Sequence, residues 1–161
     1  MERITSCFLS PLGWLKLQSN GHTLLSISFE GLPGLSEDHP FHRQCHIELL
    51  QYFHGQRFQF DFDIEPAGTE FQQKVWQEVS RIPYGNTISY HKLAQQLGNE
   101  RLQRAVGHAN AKNPLPVIIP CHRVIGMDGA LLGYAGGLWR KQWLLDHERN
   151  CRYGIQANMF D

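Results

Sequence analysis

Apolar and polar residues alternate along the first third of the chain in three short runs. The runs are Cys7–Leu9, Trp14–Gln18 and Thr23–Phe29. Turn residues separate them, and the second separator is Asn20-Gly21, a dipeptide favoured in tight hairpins. Period-two alternation between turn signals is typical of half-buried strands. The pattern predicts an antiparallel meander of about three strands.

A helical pattern follows a polar stretch rich in Gly and Pro. Ile47, Leu50 and Phe53 recur at helical spacing, and Gly55 is a typical helix stop. The segment 58–62 then alternates Phe with polar residues, as a strand does. The first third is therefore predicted to form one small α+β unit.

Helical spacing dominates beyond Pro66–Gly68, which we predict to separate a domain of residues 1–66 from one of residues 67–161. Thr69 and Gln72 fit a capping box, in which two side chains each bond the other residue's backbone amide. The apolar stripe of this first helix, which is expected to end before Pro83, consists of Phe71, Val75, Trp76 and Val79.

Two shorter helices are predicted next. Ser89 caps one that runs to Leu97, Gly98 provides a turn, and Asn99 begins a second helix that continues to about Lys112. Two helices joined by a tight turn are typical of a helix-turn-helix. Any small helical hairpin shares this pattern, so the pattern alone does not establish DNA binding.

The second of these helices is rich in small residues. Ala105, Gly107, Ala109 and Ala111 follow Arg104 within eight positions. Glycine inside a helix costs about 1 kcal/mol relative to alanine unless a close approach to the backbone offsets it. The group that comes close to this backbone is either a neighbouring helix or an external partner. Taken alone, these small residues favour packing against a neighbouring helix.

Composition places the chain among ordinary globular proteins. Of its 161 residues, 42% are hydrophobic and 19% are charged, which suits one domain or two small fused ones. No apolar run approaches the roughly 20 residues of a membrane span, and the first residues lack the order of a signal peptide. We therefore expect a cytoplasmic protein that makes no contact with a membrane.

Charge and cysteine usage add two further expectations. Residues 1–65 hold four basic and eight acidic residues, whereas residues 66–161 hold eleven and seven, which is compatible with a polyanionic partner for the second part or with chance. The four cysteines are widely spaced and are expected to be free thiols. The cluster His39, His42, Cys45 and His46 matches no standard metal spacing, so no metal site is predicted there.

The stretch from Leu115 to Gly126 carries the best candidate chemistry. It is apolar, contains Pro116 and Pro120, and is predicted to deliver Cys121 and His122 in an extended conformation before a turn at Asp128-Gly129. A lone cysteine is usually a small buried hydrophobe. Here an adjacent histidine offers a base and Glu148 an orienting group, which is the arrangement that nucleophilic catalysis requires.

The hexapeptide Pro120-Cys121-His122-Arg123-Val124-Ile125 resembles the active-site signature of the O6-alkylguanine-DNA alkyltransferases, in a bacterial form. Further motifs stand at that family's usual spacings from Cys121: Ser89-Tyr90, Arg104-Ala105-Val106-Gly107, Asn113-Pro114, Gly133-Tyr134-Ala135-Gly136-Gly137 and Trp143-Leu144-Leu145-Asp146-His147-Glu148. The resemblance covers residues 66–148 and extends more loosely to the first domain.

This resemblance implies roles for individual residues in direct reversal of DNA damage. Cys121 is expected to accept the alkyl group, with His122 acting through a water and Glu148 holding the histidine tautomer. Asn113 is expected to brace the active-site turn. Tyr90 is expected to assist nucleotide rotation and to donate a proton to the leaving base.

The resemblance also implies a DNA-binding helix and a base pocket. Arg104 is expected to fill the space of the extruded base, with clearance for the minor groove from Ala105, Gly107 and Ala109. The pocket residues are expected to be Pro116, Val124, Tyr134, Ala135 and Gly136, with main-chain contacts at Cys121, Val124 and Ala135. Many family members have serine where Ala135 stands, so a hydroxyl donor is missing here.

The implied fold is α+β, with a ribonuclease-H-like first domain of antiparallel sheet plus helix and a winged-helix-like second domain containing the helix-turn-helix. The implied partner is double-stranded DNA containing O6-alkylguanine, with O4-alkylthymine as a further substrate left open. No cofactor, metal or obligate protein partner is expected, and the protein is expected to act once, as a monomer.

Three other functions compete with this interpretation. A lesion-binding relative would keep the flipping apparatus but lack the nucleophile, whereas this chain has Cys121. A sequence-specific regulator would carry several long polar side chains on its second helix. A cysteine hydrolase using Cys121, His122 and Glu148 would turn over repeatedly and would leave the Arg104 helix without a role.

Overall fold

The computed structural model describes residues 2–134 and 136–158, with side chains up to residue 152. It divides into two compact units, Met1–Ala67 and Gly68–Asp161. No helix among the described residues is both long and apolar enough to cross a membrane.

A three-stranded antiparallel sheet forms the first part of the N-terminal unit. Its strands are β1 (Ile4–Ser10), β2 (Gly13–Ser19) and β3 (Leu24–Ser28), paired in the order β1-β2-β3. Gly21, with φ of +91°, lies in the second connection, where left-handed backbone favours glycine. The predicted meander is confirmed, because each alternating run became one strand.

Helix α1 (Pro40–Phe53) follows the sheet and ends before Gly55, as the sequence predicts. Its buried face was predicted wrongly, since Ile47 is 55% exposed while Glu48 is buried. The Glu48 carboxylate accepts a hydrogen bond from the Asp61 amide at 2.7 Å and lies 3.4 Å from the Arg57 guanidinium. A buried charged residue therefore lies on the face that hydrophobic spacing assigned to solvent.

The alternating segment 58–62 is not a strand, contrary to the prediction. Its backbone is held by side chains, since the Arg57 guanidinium donates to the Gln59 carbonyl at 3.0 Å. Phe60 and Phe62 pack against each other at 5.5 Å between ring centroids. The alternation thus reflects aromatic packing rather than a hydrogen-bonded ladder. A single bridge pairs Ile64 with Leu24 just beyond it.

The histidine cluster at the start of α1 is built into the packing of the first unit. His42 is buried, and its two ring nitrogens lie 2.5 Å from the Ser6 hydroxyl and 2.7 Å from the Ser19 hydroxyl. Cys45 is fully buried, and the ring of His46 stacks on Phe8. Across the described residues, no group of three or more His, Cys, Asp or Glu side chains is placed to hold a metal ion.

The C-terminal unit is mostly helical. Its described elements, in chain order, are α2 (Glu70–Val79), β4 (Ile88–Ser89), α3 (Tyr90–Gln96), a 3-10 turn (Glu100–Leu102), α4 (Gln103–Ala111), a second 3-10 turn (Cys121–Arg123), β5 (Val124–Ile125) and α5 (Leu138–Asn158). Strands β4 and β5 pair in parallel. The Thr69–Gln72 capping box is confirmed, because both of its hydrogen bonds are present.

Helices α3 and α4 pack as the predicted hairpin around Gly98, whose φ is +99°. Asn99 caps the following segment by accepting a hydrogen bond from the Arg101 amide, but the first turn is 3-10 rather than α. Ala109 is 2% exposed, and its carbonyl accepts a hydrogen bond from the Trp76 indole at 2.9 Å. Ala109 therefore packs α4 onto α2 while also lining a cleft with Ala105, and its role in clearing space for DNA stays a prediction.

Candidate active site

Cys121 lies at the start of the 3-10 turn that directly follows Pro120. Its amide donates to the Ile119 carbonyl at 2.7 Å, and the Arg123 amide donates to the Pro120 carbonyl at 2.9 Å. The extended conformation expected for this stretch is wrong, because these amides bond within the segment rather than to a neighbouring strand. The turn leaves Cys121 6% exposed.

Asn113 holds the backbone that leads to this cysteine. Its side-chain amide donates to the Ile119 carbonyl at 2.8 Å, and its side-chain oxygen accepts from the Leu115 amide at 2.9 Å. Between these two bonds, Val117 has φ of +76°, a conformation that costs a β-branched residue on the order of 1–3 kcal/mol. The strained turn is thus fixed from inside by one buried asparagine.

Glu148 on α5 joins the turn to the rest of the unit. It is 1% exposed and lies 2.7 Å from the Nε2 atom of fully buried His122. The Arg123 guanidinium donates to both carboxylate oxygens, at 2.8 and 2.9 Å, and the Gly85 amide donates to one of them at 3.3 Å. Such a bidentate, charge-assisted pair fixes the carboxylate in one orientation.

The pKa values of this network follow from burial and from neighbouring charges. Burial alone would raise the pKa of Glu148, but hydrogen bonds and charges from His122 and Arg123 outweigh it and hold that pKa well below its usual range. Burial lowers the pKa of His122 despite the opposing effect of Glu148. The histidine is therefore neutral at neutral pH, beside an ionised carboxylate.

A neutral His122 that bonds Glu148 through Nε2–H has its lone pair on Nδ1. That Nδ1 atom is buried and has no hydrogen-bond partner among the described residues. Burial raises the pKa of Cys121 to about 11, although an Asn113 hydrogen bond and the charge of Lys141 act in the opposite direction. The resting thiol is protonated, so chemistry at Cys121 requires a base, and the turn provides one in the correct tautomer.

Sequence reasoning assigned no role to Arg123, although Arg123 stands within the quoted signature. The guanidinium neutralises Glu148 and donates a further hydrogen bond to the Ile82 carbonyl at 2.7 Å. The signal was available, because a carboxylate expected to be buried beside a histidine needs a cation to offset its desolvation. Asn110 was also missed, and its side chain donates to the Cys121 carbonyl at 3.2 Å.

Tyr90 begins α3 directly after the Ser89 cap and faces α4. Its ring lies against Gly107, where an added Cβ would come within 3.7 Å of it. The Tyr90 hydroxyl donates to the Leu132 carbonyl at 3.2 Å, and burial raises the pKa of Tyr90. A cleft of about 630 Å³ opens here between Tyr90, Gly107 and Leu132.

Arg104 and Ala105 are exposed at the start of α4, in contrast to Ala109. Arg104 lines the cleft beside Tyr90 and also a second cleft of about 570 Å³ on the other side of α4. Ala105 and His108 line the second cleft. Arg104 and Arg101, which lies in the preceding 3-10 turn, each line both clefts.

Four of the five expected pocket residues are described, and all four are buried. Pro116, Val124, Tyr134 and Gly136 are buried, whereas Ala135 lies outside the described residues. These four are not among the residues that line the cleft at Tyr90. The structure therefore gathers Cys121, His122, Glu148 and Asn113 into one network and places Tyr90, Arg104 and Gly107 on one cleft.

Comparison with known proteins agrees with this arrangement. The profile of the domain described as "6-O-methylguanine DNA methyltransferase, DNA binding domain" matches residues 70–150, half of the chain. A methylated-DNA–protein-cysteine methyltransferase of Methanosarcina acetivorans is 41% identical over 151 residues, covering 89% of this chain and 97% of the relative. A constitutive one from Bacillus subtilis is 42% identical, covering 92% of this chain and 84% of the relative.

The chain belongs to the methylated-DNA–protein-cysteine methyltransferase family. The name given to these relatives denotes transfer of a methyl group from methylated DNA to a protein cysteine. The resemblance found in the sequence is thereby confirmed.

Solved structures support the same family membership. The O6-methylguanine methyltransferase of Mycobacterium tuberculosis superposes with a TM-score of 0.84 at 37% identity, covering 92% of this chain and 94% of that chain. Another structure from that organism, OGT in complex with DNA, has a TM-score of 0.83 at 39% identity and covers 90% of this chain and 92% of that chain. The chain therefore shares its α+β combination of a small antiparallel sheet with helices with these structures.

Proposed function

We propose that this methyltransferase repairs DNA by direct reversal, transferring the alkyl group of O6-alkylguanine in duplex DNA irreversibly to Cys121. The observation that carries the proposal is the buried turn itself. The turn carries the Cys121 thiol, which is protonated at rest, and in the next residue a neutral histidine whose Nε2 atom is held by an ionised carboxylate. The product is a thioether, for which the chain offers no route of cleavage, so each molecule acts once.

The thiol proton leaves through His122. A water between the thiol and His122 Nδ1 accepts the proton and passes it to the imidazole, and Glu148 stabilises the imidazolium. The bond from Sγ to the alkyl carbon forms while the bond from that carbon to guanine O6 breaks. The guanine takes a proton from the Tyr90 hydroxyl and departs neutral, and the Tyr90 phenolate regains, through water, the proton that His122 took from the thiol. Burial of Tyr90 supports this role, because it keeps the phenol protonated.

The alkylated base reaches Cys121 by leaving the duplex, since O6 lies inside the base stack. We assign α4 to the minor groove, with Arg104 in the space of the extruded nucleotide and with Ala105 and Gly107 allowing close approach. The exposed cation between two clefts supports this assignment. Tyr90, on the wall of the first cleft, is proposed to crowd the target phosphate.

We propose that main-chain groups around Cys121 hold the flipped guanine. Main-chain carbonyls of Cys121 and Val124 are proposed to accept from the exocyclic amine, and the Ala135 amide to donate to O6. Pro116 and Tyr134 are proposed as apolar walls for the alkyl group, with Gly136 leaving room for the base. Asn113 keeps the Cys121 turn in place when the base binds, which its two buried hydrogen bonds support.

Several finer assignments belong to the same proposal. We assign residues 1–66 to a ribonuclease-H-like domain and residues 67–161 to a winged-helix-like, DNA-binding and alkyl-accepting domain. The helical hairpin of α3 and α4 supports the second assignment. We place the protein in the cytoplasm, acting as a monomer on double-stranded DNA, because a thiol acceptor must stay reduced.

Replacing Cys121 by Ala tests this proposal. The variant should bind a duplex containing one O6-methylguanine with wild-type affinity and transfer no label from it, because binding groups remain and the nucleophile is gone. Labelled-methyl transfer and a DNA-binding titration measure the two properties. Transfer by the variant would move the nucleophile elsewhere, and tight lesion binding without transfer by the wild type would identify a lesion binder instead.

Replacing Arg104 by Ala tests the base-extrusion role. Repair of duplex DNA should slow by at least tenfold, whereas reaction with a free O6-alkylguanine base should change less than twofold, because only the duplex requires extrusion. Lys112→Ala, at the end of the same helix, provides a matched loss of one positive charge. Equal losses on duplex and free base would refute the role of Arg104.

A further inference from the structure

Lys141 on α5 is a fully buried lysine that the proposed mechanism does not use. Its side chain is 0% exposed. The Nζ atom donates to the Val124 carbonyl at 2.7 Å and to the Leu132 carbonyl at 2.7 Å. It also lies 5.6 Å from the centre of the Tyr90 ring, within range of a cation–π contact.

Burying an ammonium group is costly unless hydrogen bonds and charges offset the lost hydration. Here burial lowers the pKa of Lys141 to about 8, and the charge of Cys121 as thiolate acts in the opposite direction. The coupling is mutual, since Lys141 lowers the pKa of Cys121 against the effect of burial. A purely apolar side chain would fill this position without the cost of burying a charge. What the cation adds is a lower pKa of the Cys121 thiol.

The two carbonyls that Lys141 holds belong to the active site. Val124 directly follows the Cys121–Arg123 turn, and its carbonyl is a proposed acceptor for guanine. Leu132 lines the cleft beside Arg104, and its carbonyl also accepts from the Tyr90 hydroxyl. One ammonium therefore ties the segment after the nucleophile to the loop that walls the cleft.

We propose that Lys141 is a positioning residue for the transfer reaction: its N–H groups hold the Val124 and Leu132 carbonyls, and its positive charge stabilises the Cys121 thiolate. The proposal rests on the proposed role of Cys121 as acceptor. It assigns the two effects to separable properties of one side chain, namely hydrogen-bond donation and charge.

The sign of the pH dependence follows from the groups that face Lys141. These are Cys121 and His122 from the 3-10 turn and Tyr90 from α3. Burial lowers the pKa of His122 and raises that of Tyr90, so both stay neutral between pH 7 and 9, while Lys141 loses its charge as the pH rises through about 8. The support that Lys141 gives the thiolate is therefore present below pH 8 and is lost above it.

Two substitutions separate charge from donation. Lys141→Gln keeps N–H donors without charge, and Lys141→Met keeps neither. Lys74→Met, which removes a lysine exposed on α2 in an ion pair with Glu70, is the matched control. Circular dichroism and thermal unfolding establish that each variant is folded.

The effect of the Lys141 charge is measured by the rate at which iodoacetamide alkylates Cys121, a reaction in which the thiolate displaces iodide. Peptide mass spectrometry follows the alkylation of Cys121. At pH 7 the Gln and Met variants should react at least fivefold more slowly than wild type, because the reactive species is the thiolate. The difference should shrink towards pH 9. Cys151 in the same molecules should react equally in all variants. This experiment needs no DNA, so it remains informative even if the proposed transfer reaction fails.

The effect of hydrogen-bond donation by Lys141 is measured by the concentration of O6-methylguanine duplex that gives half-maximal single-turnover transfer. Lys141→Met should raise this half-maximal concentration at least threefold, and Lys141→Gln should leave it within twofold of the wild-type value. An unchanged rate of Cys121 alkylation in a folded Lys141→Gln variant would overturn the charge role. This test uses the Gln variant alone, so it holds even if the Met variant does not fold. Equal half-maximal concentrations in folded Met and wild-type proteins would overturn the positioning role.

Discussion

Two buried histidines, one in each unit, show how the same side chain takes a structural or a chemical role. His42 in the N-terminal unit is 3% exposed and His122 in the C-terminal unit is 0% exposed. Both ring nitrogens of His42 meet serine hydroxyls, those of Ser6 and Ser19. His122 meets a carboxylate at one nitrogen, and its other nitrogen has no partner among the described residues.

The difference lies in the hydrogen-bond partners, because burial lowers the pKa of both histidines. A ring whose two nitrogens both bond hydroxyl groups fixes neighbouring elements and has no free lone pair. A ring anchored at one nitrogen by an ionised carboxylate keeps a basic lone pair on the other, and the carboxylate stabilises the protonated form. Proton transfer is therefore expected at His122 and not at His42.

The largest expected effect comes from the same substitution at both positions. His122→Asn should slow methyl transfer at least a hundredfold, because a positioned general base contributes roughly 10²–10⁴ in rate. His42→Asn should leave transfer within twofold and lower the free energy of unfolding by about 1–3 kcal/mol, through buried hydroxyls that lose a partner. Single-turnover rates on a methylated duplex and urea unfolding measure both. Equal losses of transfer rate in the two variants would contradict the assignment of proton transfer to His122 alone.

Replacing Glu148 by Gln should have the next largest effect. Transfer should slow by about tenfold or more, and the pKa on the acid side of the pH–rate profile should fall, because His122 loses the carboxylate that raises its pKa. The free energy of unfolding should fall by about 3 kcal/mol, since the buried Arg123 loses its counterion. Asp146→Asn on the same helix is the control. A pH profile that does not move would remove Glu148 from the relay.

Acid unfolding should separate the two kinds of buried group. The histidines have lowered pKa values, so the stability they contribute is full above their ordinary pKa of 6.5 and is lost as the pH falls below it. Glu148 also has a lowered pKa, so its contribution is full above 4.5 and is lost at lower pH. Wild-type stability should fall in both windows, and Glu148→Gln should lack the lower one. Urea titrations between pH 3 and 8 measure this.

The smallest effect is expected for Ser19→Ala. Removing one hydroxyl from His42 should lower the free energy of unfolding by about 1 kcal/mol and leave methyl transfer unchanged. Ser6→Ala should behave in the same way, because it serves the other ring nitrogen. A change of transfer rate beyond twofold in either variant would mean that the N-terminal histidine does influence the chemistry.

Local patterns predicted much of the fold. The meander, the Thr69–Gln72 capping box and the Gly98 turn depend on neighbouring residues, so the sequence shows them directly. The strand at 58–62 and the buried face of α1 were predicted wrongly, because Glu48 and Arg57 bond that backbone from a distance. Hydrophobic spacing contains no information about such buried charges.

The site was predicted through its motifs, and the groups around them were less visible. Cys121, His122 and Glu148 come together as expected, but the 3-10 turn, the strain at Val117 and the packing of Ala109 depend on tertiary contacts. Lys141 lies in a helix without any pattern that marks it as buried. The role proposed for it depends on tertiary contacts, because its ammonium group donates to the carbonyls of Val124 and Leu132.

Mass spectrometry after mixing the protein with an excess of duplex carrying one O6-methylguanine tests the central claim most directly. The account predicts a gain of one methyl group per protein, located on the peptide containing Cys121 and reaching a plateau at one. The same treatment of the Cys121→Ala variant should add none. A methyl group on another residue, continued turnover beyond one, or no gain while the lesion stays bound would contradict the account.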